Sequence, residues 1–226
     1  DAALAHRLGK AHLGRGDPFA ALEPLRAAQR GRPGDPVVRR DLATALVELG
    51  RAEEAVGLLE QLPSVYLSPH TLFLWVRAEE QLGRWADAAE RLESLIGALA
   101  EEDRSAYGDA FLLRSARNYM RAGRPADALR MTEALEPSPL VTRLRIRALE
   151  AAGRSEEARS RLAELRRERP DDPALVALQI DQQLARGAEP GDPALVDRAL
   201  DTSPGEAARA DHGLRVALAL IGWERS

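Results

Sequence analysis

Glycine returns along this 226-residue chain at Gly16, Gly50, Gly83, Gly123, Gly153, Gly187 and Gly222, at intervals of 34, 33, 40, 30, 34 and 35 residues. Five residues after each of the first five stands an alanine: Ala21, Ala55, Ala88, Ala128 and Ala158. A repeat of this length cannot bury its own apolar face and must stack on its neighbours. The period therefore specifies an array of supersecondary units and not a closed globule. Around each glycine the apolar residues fall at helical spacing. Leu4, Leu8 and His12 share a face before Gly16. Asp17 then serves as N-cap and Pro18 as first helical residue, ahead of Ala21, Leu22, Leu25 and Ala28. Each unit reads as two helices. The first ends at a glycine suited to a left-handed C-cap, and the alanine lets the second approach closely.

The units run over about 2–35, 36–68, 69–108, 109–138, 139–172 and 173–203, with a terminal helix over 204–223, and the whole chain reads as one array. The 40-residue interval demands extra length, expected as a longer helix or loop around Ala98 to Gly108. The sixth turn is swollen by Gly187-Ala188-Glu189-Pro190-Gly191. The last segment, Leu214 to Trp223, is apolar nearly all round and carries Gly222 on period. It reads as the first helix of a seventh unit, packing on the sixth or joining two copies in a homo-oligomer. That segment and the uncapped first unit are those expected of an excerpt from a longer array. No stretch shows the alternation of a strand.

The pattern resembles the tetratricopeptide repeat family. Its 34-residue signature is matched by Leu8-Gly9, Gly16, Ala21, Leu25, Ala28 and Pro33 in the first unit. Leu149, Gly153, Ala158, Leu162, Leu165 and Pro170 match it in the fifth. The family's first-helix aromatic positions are mostly Leu or Ala here, and Leu62, Leu95 and Leu135 stand where it has a small residue. The resemblance implies an all-α, right-handed superhelical solenoid of stacked helix–turn–helix repeats, about six units plus a terminal helix. It also implies a non-catalytic scaffold that binds a protein or an extended peptide.

Composition narrows the partner. A formal charge of −4 and 4% aromatic residues exclude global attraction to nucleic acid and base-stacking platforms. No segment reaches the roughly 18 apolar residues of a membrane span. There is no cysteine, which removes thiolate chemistry and leaves the compartment open. The histidines His6, His12, His70 and His212 lack metal-site spacing, and Gly9-Lys10 lies within a helix, so neither metal, cofactor nor catalytic centre is expected. Arg15-Gly16-Asp17 spells an adhesion tripeptide, but helix end, turn and N-cap account for it. Lys10 is the only lysine among 32 basic residues, a bias expected of a GC-rich, bacterial genome.

By the register of the family, the first-helix positions ten, nine and six residues before each turn glycine line an inner groove. These are His6, Arg7 and Lys10; Arg40, Asp41 and Thr44; Phe73, Leu74 and Arg77; Leu113, Arg114 and Arg117; Arg143, Leu144 and Arg147. The basic members are His6, Lys10, Arg40, Arg77, Arg114, Arg117, Arg143 and Arg147. They form a stripe suited to an acidic or carboxylate-bearing ligand, similar to the carboxylate-gripping grooves of peptide-binding relatives without their asparagines. Against this stand the abundance of arginine and the acids Glu48, Glu80 and Glu150 on the same helices. Arg77–Glu80 and Arg147–Glu150, three residues apart, are expected to pair. Two further readings fit the same residues. One is a targeting module of a larger bacterial enzyme. The other is a periplasmic part of an envelope or polysaccharide-export assembly.

Overall fold

The computed structural model describes residues 1–169 together with Leu175, Leu178 and Gln179. The sixth turn at Gly187 and the segment Leu214 to Trp223 lie outside the described residues. The first compact unit, Asp1–Pro137, holds α1 (Ala2–Gly14), α2 (Pro18–Gly31), α3 (Pro36–Glu48), α4 (Ala52–Leu59), α5 (Pro69–Gln81), α6 (Trp85–Ala98), α7 (Glu101–Arg121) and α8 (Pro125–Glu133). The second, Ser138–Ser226, holds α9 (Pro139–Ala151) and α10 (Ser155–Glu168). A short 3₁₀ turn, Ser64–Tyr66, precedes α5. No strand occurs among the described residues.

One turn is built five times. At the end of α1 the N–H of Gly16 donates to the Leu13 carbonyl at 2.9 Å, and that of Asp17 to the His12 carbonyl at 3.0 Å. This Schellman pair satisfies carbonyls that a helix end leaves orphaned, and it requires the left-handed conformation, φ 72°, seen at Gly16. The same two bonds recur at Gly50 and Arg51, Gly83 and Arg84, Gly123 and Arg124, and Gly153 and Arg154. A Cβ at Gly50 would meet no heavy atom within 4 Å. The cost of Gly50→Ala is therefore conformational alone, and urea unfolding should register a loss of about 1–2 kcal/mol.

The residue after each turn glycine starts the second helix. Asp17 caps α2 by accepting from the Ala20 N–H at 2.9 Å. Arg51, Arg124 and Arg154 make no such bond, and each instead grips the acid three residues on: Glu54 at 2.6 Å, Asp127 at 2.7 Å and Glu157 at 2.5 Å. Those acids also sit where a helix N-terminus favours negative charge.

Ala21, Ala55, Ala88, Ala128 and Ala158 are all fully buried. A Cβ on Gly9 would lie 2.5 Å from Leu25 Cγ, so α1 and α2 meet at a distance only glycine allows. In the first unit the core runs through Leu25, Leu42, Leu46, Leu59 and Trp75, and on through Leu72, Val76, Leu92 and Leu95. The long interval is taken up by α7, whose 21 residues begin at Glu101.

The apolar face of α1 differs from its sequence reading. Leu4 and Leu8 are 66% and 50% exposed, whereas their counterparts Val38 and Leu42 on α3 are 0% and 2% exposed. The second helix of the preceding repeat, α2, packs on α3. No described residue covers α1 in that way.

Candidate functional site

In the first unit, repetition brings the first helices α1, α3, α5 and α7 side by side in register, so charges on one meet charges on the next. Arg77 donates to Glu48 at 2.7 Å, from α5 back to α3. Arg114 on α7 clasps Glu80 on α5 with two parallel bonds, Nε to Oε1 at 2.9 Å and Nη2 to Oε2 at 2.5 Å. Asn118 adds a bond from Nδ2 to Oε1 at 2.7 Å. His6 Nε2 lies 2.8 Å from Asp41 Oδ2, and Arg40 holds the other oxygen of that carboxylate at 2.9 Å.

Arg77 and Glu80 thus do not pair with each other as their spacing suggests. Glu80 receives three hydrogen bonds from α7, two from Arg114 and one from Asn118, and Arg77 pairs instead with Glu48 on α3. The hydrogen bond from Arg77 holds the Glu48 carboxyl below its ordinary range. Burial works to raise Glu80, but the bonds from Arg114 and Asn118 outweigh it and hold that carboxyl low. The bond to Glu80 raises Arg114 in turn.

The ladder breaks at α7. The residue at the position of Arg77 one repeat later is Arg117, but at the position of Glu48 stands Gln81, whose amide donates to the Val47 carbonyl at 3.0 Å. Among the described residues Arg117 has no carboxylate within ion-pair distance. Arg121, one turn further on, occupies the Glu48 position in its own repeat, and its guanidinium lies over the Trp85 ring at 4.6 Å. Arg117 and Arg121 line a cavity of about 440 Å³ together with Glu80, Leu113, Arg114 and Asn118. Three guanidinium groups there face one carboxylate. Beside it Arg114 also lies over Phe73 at 5.1 Å, and Phe73 packs on Phe111 with centroids 5.7 Å apart.

The other candidates fall differently. Lys10 is exposed on α1, and Arg40 is engaged with Asp41. Arg143 and Arg147 stand on α9 in the second unit, half-buried and exposed respectively. Sequence reasoning missed Asn118, the only asparagine in the chain, and Arg121. The spacing of four between Arg117 and Arg121 carried the signal for the latter.

A second polar cleft of about 430 Å³ is lined by Glu79, Arg84, Asp87, Glu90 and Arg91, but Glu79 and Arg91 are already joined within it. Among the described residues no group of His, Asp and Glu is arranged to hold a metal ion. No described helix is long and apolar enough to cross a membrane.

The fold is that of an all-α solenoid of helix–turn–helix repeats. Two tetratricopeptide repeat models match the chain, one over residues 12–69 and one over 139–164. Among solved structures, a tetratricopeptide repeat protein from Parabacteroides merdae is 18% identical, with 99% of this chain and 88% of that one covered and a TM-score of 0.65. The C-terminal part of a TPR repeat-containing protein from Cytophaga hutchinsonii is 11% identical over 96% and 84% of the two chains, with a TM-score of 0.62. MamA from Desulfovibrio magneticus is 16% identical over 76% and 97%, with a TM-score of 0.54. No curated protein matches in sequence. Residues 12–69 and 139–164 are thus tetratricopeptide repeats, and the repeat fold is in general that of a protein-interaction scaffold.

Proposed function

We propose that this chain is a non-catalytic scaffold whose first-helix face takes an extended acidic segment of a protein partner, anchored at α7. The observation that carries this reading is the break in the charge ladder. Arg117 and Arg121 line a cavity and have no carboxylate within ion-pair distance among the described residues, while Arg77 and Arg114 are neutralised from the neighbouring helix. The chain as a whole carries −4, so the attraction is local and directional. Each guanidinium fork accepts a carboxylate through two parallel bonds. Leu113 beside them offers apolar contact to the ligand's aliphatic carbons.

The test uses the full chain and a labelled octapeptide rich in Glu with a free C-terminal carboxylate. Arg117→Glu should weaken its capture at least tenfold with the melting temperature nearly unchanged, since an exposed side chain seldom moves stability by more than about 0.5 kcal/mol. Capture by the unaltered chain should also weaken between 50 and 300 mM salt, because the contacts are screened over about 8 Å at physiological ionic strength. Undiminished binding by Arg117→Glu would reduce the basic face to a consequence of arginine-rich composition. Arg147→Glu reads separately whether the peptide engages the second unit.

A further inference from the structure

The break that leaves Arg117 without an acid also restricts the kind of anion the cavity can hold. Arg117 and Arg121 are one helical turn apart on α7, a spacing that sets Cβ atoms about 6 Å apart on one face. The neighbouring fork of Arg114 is closed by both oxygens of Glu80. Arg121 is held against the Trp85 ring, so it loses less freedom on binding than an unsupported side chain would. The cavity therefore presents two open forks, two positive charges and one fixed negative charge to one side.

A single carboxylate has one charge and two oxygens, and it fills one fork. A second carboxylate from the next residue of a peptide would have to settle beside Glu80, which is held ionised by Arg114 and Asn118. A phosphoryl group escapes the first limit, and against the repulsion of Glu80 it sets the attraction of two guanidinium forks where a carboxylate sets one. It concentrates up to two charges and three acceptor oxygens on one atom, enough to engage both forks at once. The cavity, about 440 Å³, has room for such a side chain with its flanking backbone.

We propose that the α7 cavity is a phosphoryl-recognition site, in which Arg117 and Arg121 together bind the phosphate of a phosphorylated serine or threonine in the partner peptide. This rests on the acidic-groove reading and narrows it. Leu113 flanks the stem of the modified residue, and Glu80 discriminates against a run of carboxylates.

The experiment replaces the central Glu of the labelled octapeptide with phosphoserine and measures both peptides against the full chain by fluorescence anisotropy. The phosphopeptide should bind at least tenfold more tightly at pH 7.5. That advantage should shrink toward pH 5 as the phosphoryl group, with a second pKa of about 6, becomes a monoanion. The titratable groups of the cavity do not change charge over that interval, because Glu80 is held low and arginine stays protonated. Arg117→Gln and Arg121→Gln should each abolish the advantage at an unchanged melting temperature, and Arg30→Gln, exposed on the second helix α2, should leave it intact. Equal affinity for the two peptides would overturn the phosphoryl assignment and leave the acidic groove standing. Failure of both to bind would overturn both. Inorganic phosphate displacing the phosphopeptide at a concentration equal to the peptide's own dissociation constant would overturn the peptide assignment in favour of free phosphate.

Discussion

Replacing Arg91 with methionine is expected to lower stability by about 3–5 kcal/mol at neutral pH, the cost of leaving a buried charge without its partner. The charge is Glu79 on α5, 3% exposed. Arg91 on α6 closes over it, with Nε 3.0 Å from each carboxylate oxygen and Nη2 at 2.6 Å, and its guanidinium lies 3.7 Å from the centre of the Trp75 ring. Burial pushes the Glu79 carboxyl up, and the bonds from Arg91 offset this only in part. A carboxyl raised in the folded state contributes stability that is full below its ordinary value near 4.5 and is lost as pH rises through the folded value. Without Arg91 that folded value climbs further. The deficit of the variant should therefore be large at pH 7 and shrink toward pH 4.5, as urea unfolding at the two pH values would measure. Adding Glu79→Leu to Arg91→Met should recover most of the loss, since an apolar pair often replaces a buried ion pair without penalty. A deficit equal at both pH values would assign the effect to lost packing on Trp75.

What was legible in the sequence and what was not divide along one physical line. The turn glycine reports a backbone conformation, and the alanine five residues on reports a close approach. Each is a local demand on one residue type, so both survive in the sequence as a period. The same logic made the long α7 readable, because a 40-residue interval between turns of one kind must be filled. Lateral contacts were a different matter. Which acid Arg77 takes depends on how α5 lies against α3, and the nearer spacing along the helix pointed to Glu80 when the partner is Glu48. The exposure of Leu4 and Leu8 likewise turns on a neighbouring helix and not on their own pattern. Once the cross-helix pairing is known, however, the break at α7 can be read directly. Gln81 stands in the place of Glu48, and Arg117 loses its partner by that one difference.

Glu80→Gln should move function and stability in opposite directions. In the folded chain Glu80 competes with any anionic ligand for the guanidinium of Arg114, and its charge lies at the edge of the cavity that Arg117 and Arg121 line. Glutamine keeps the shape and removes the charge. A unit charge several ångströms from a ligand near the protein surface is worth on the order of 1–2 kcal/mol, or about tenfold in affinity. The variant should therefore capture the acidic octapeptide about ten times more tightly. Stability should fall by about 1–2 kcal/mol, less than for a fully buried pair, because Arg114 keeps 37% of its side chain exposed and water screens it. A carboxyl held low in the folded state contributes stability that is present above its ordinary value near 4.5 and lost as pH falls through the folded value. Wild type and variant should accordingly converge in urea unfolding at acid pH and separate above 4.5. Unchanged affinity in a folded Glu80→Gln protein would mean that the ligand never meets α7, and the anchoring point would have to be sought on another first helix.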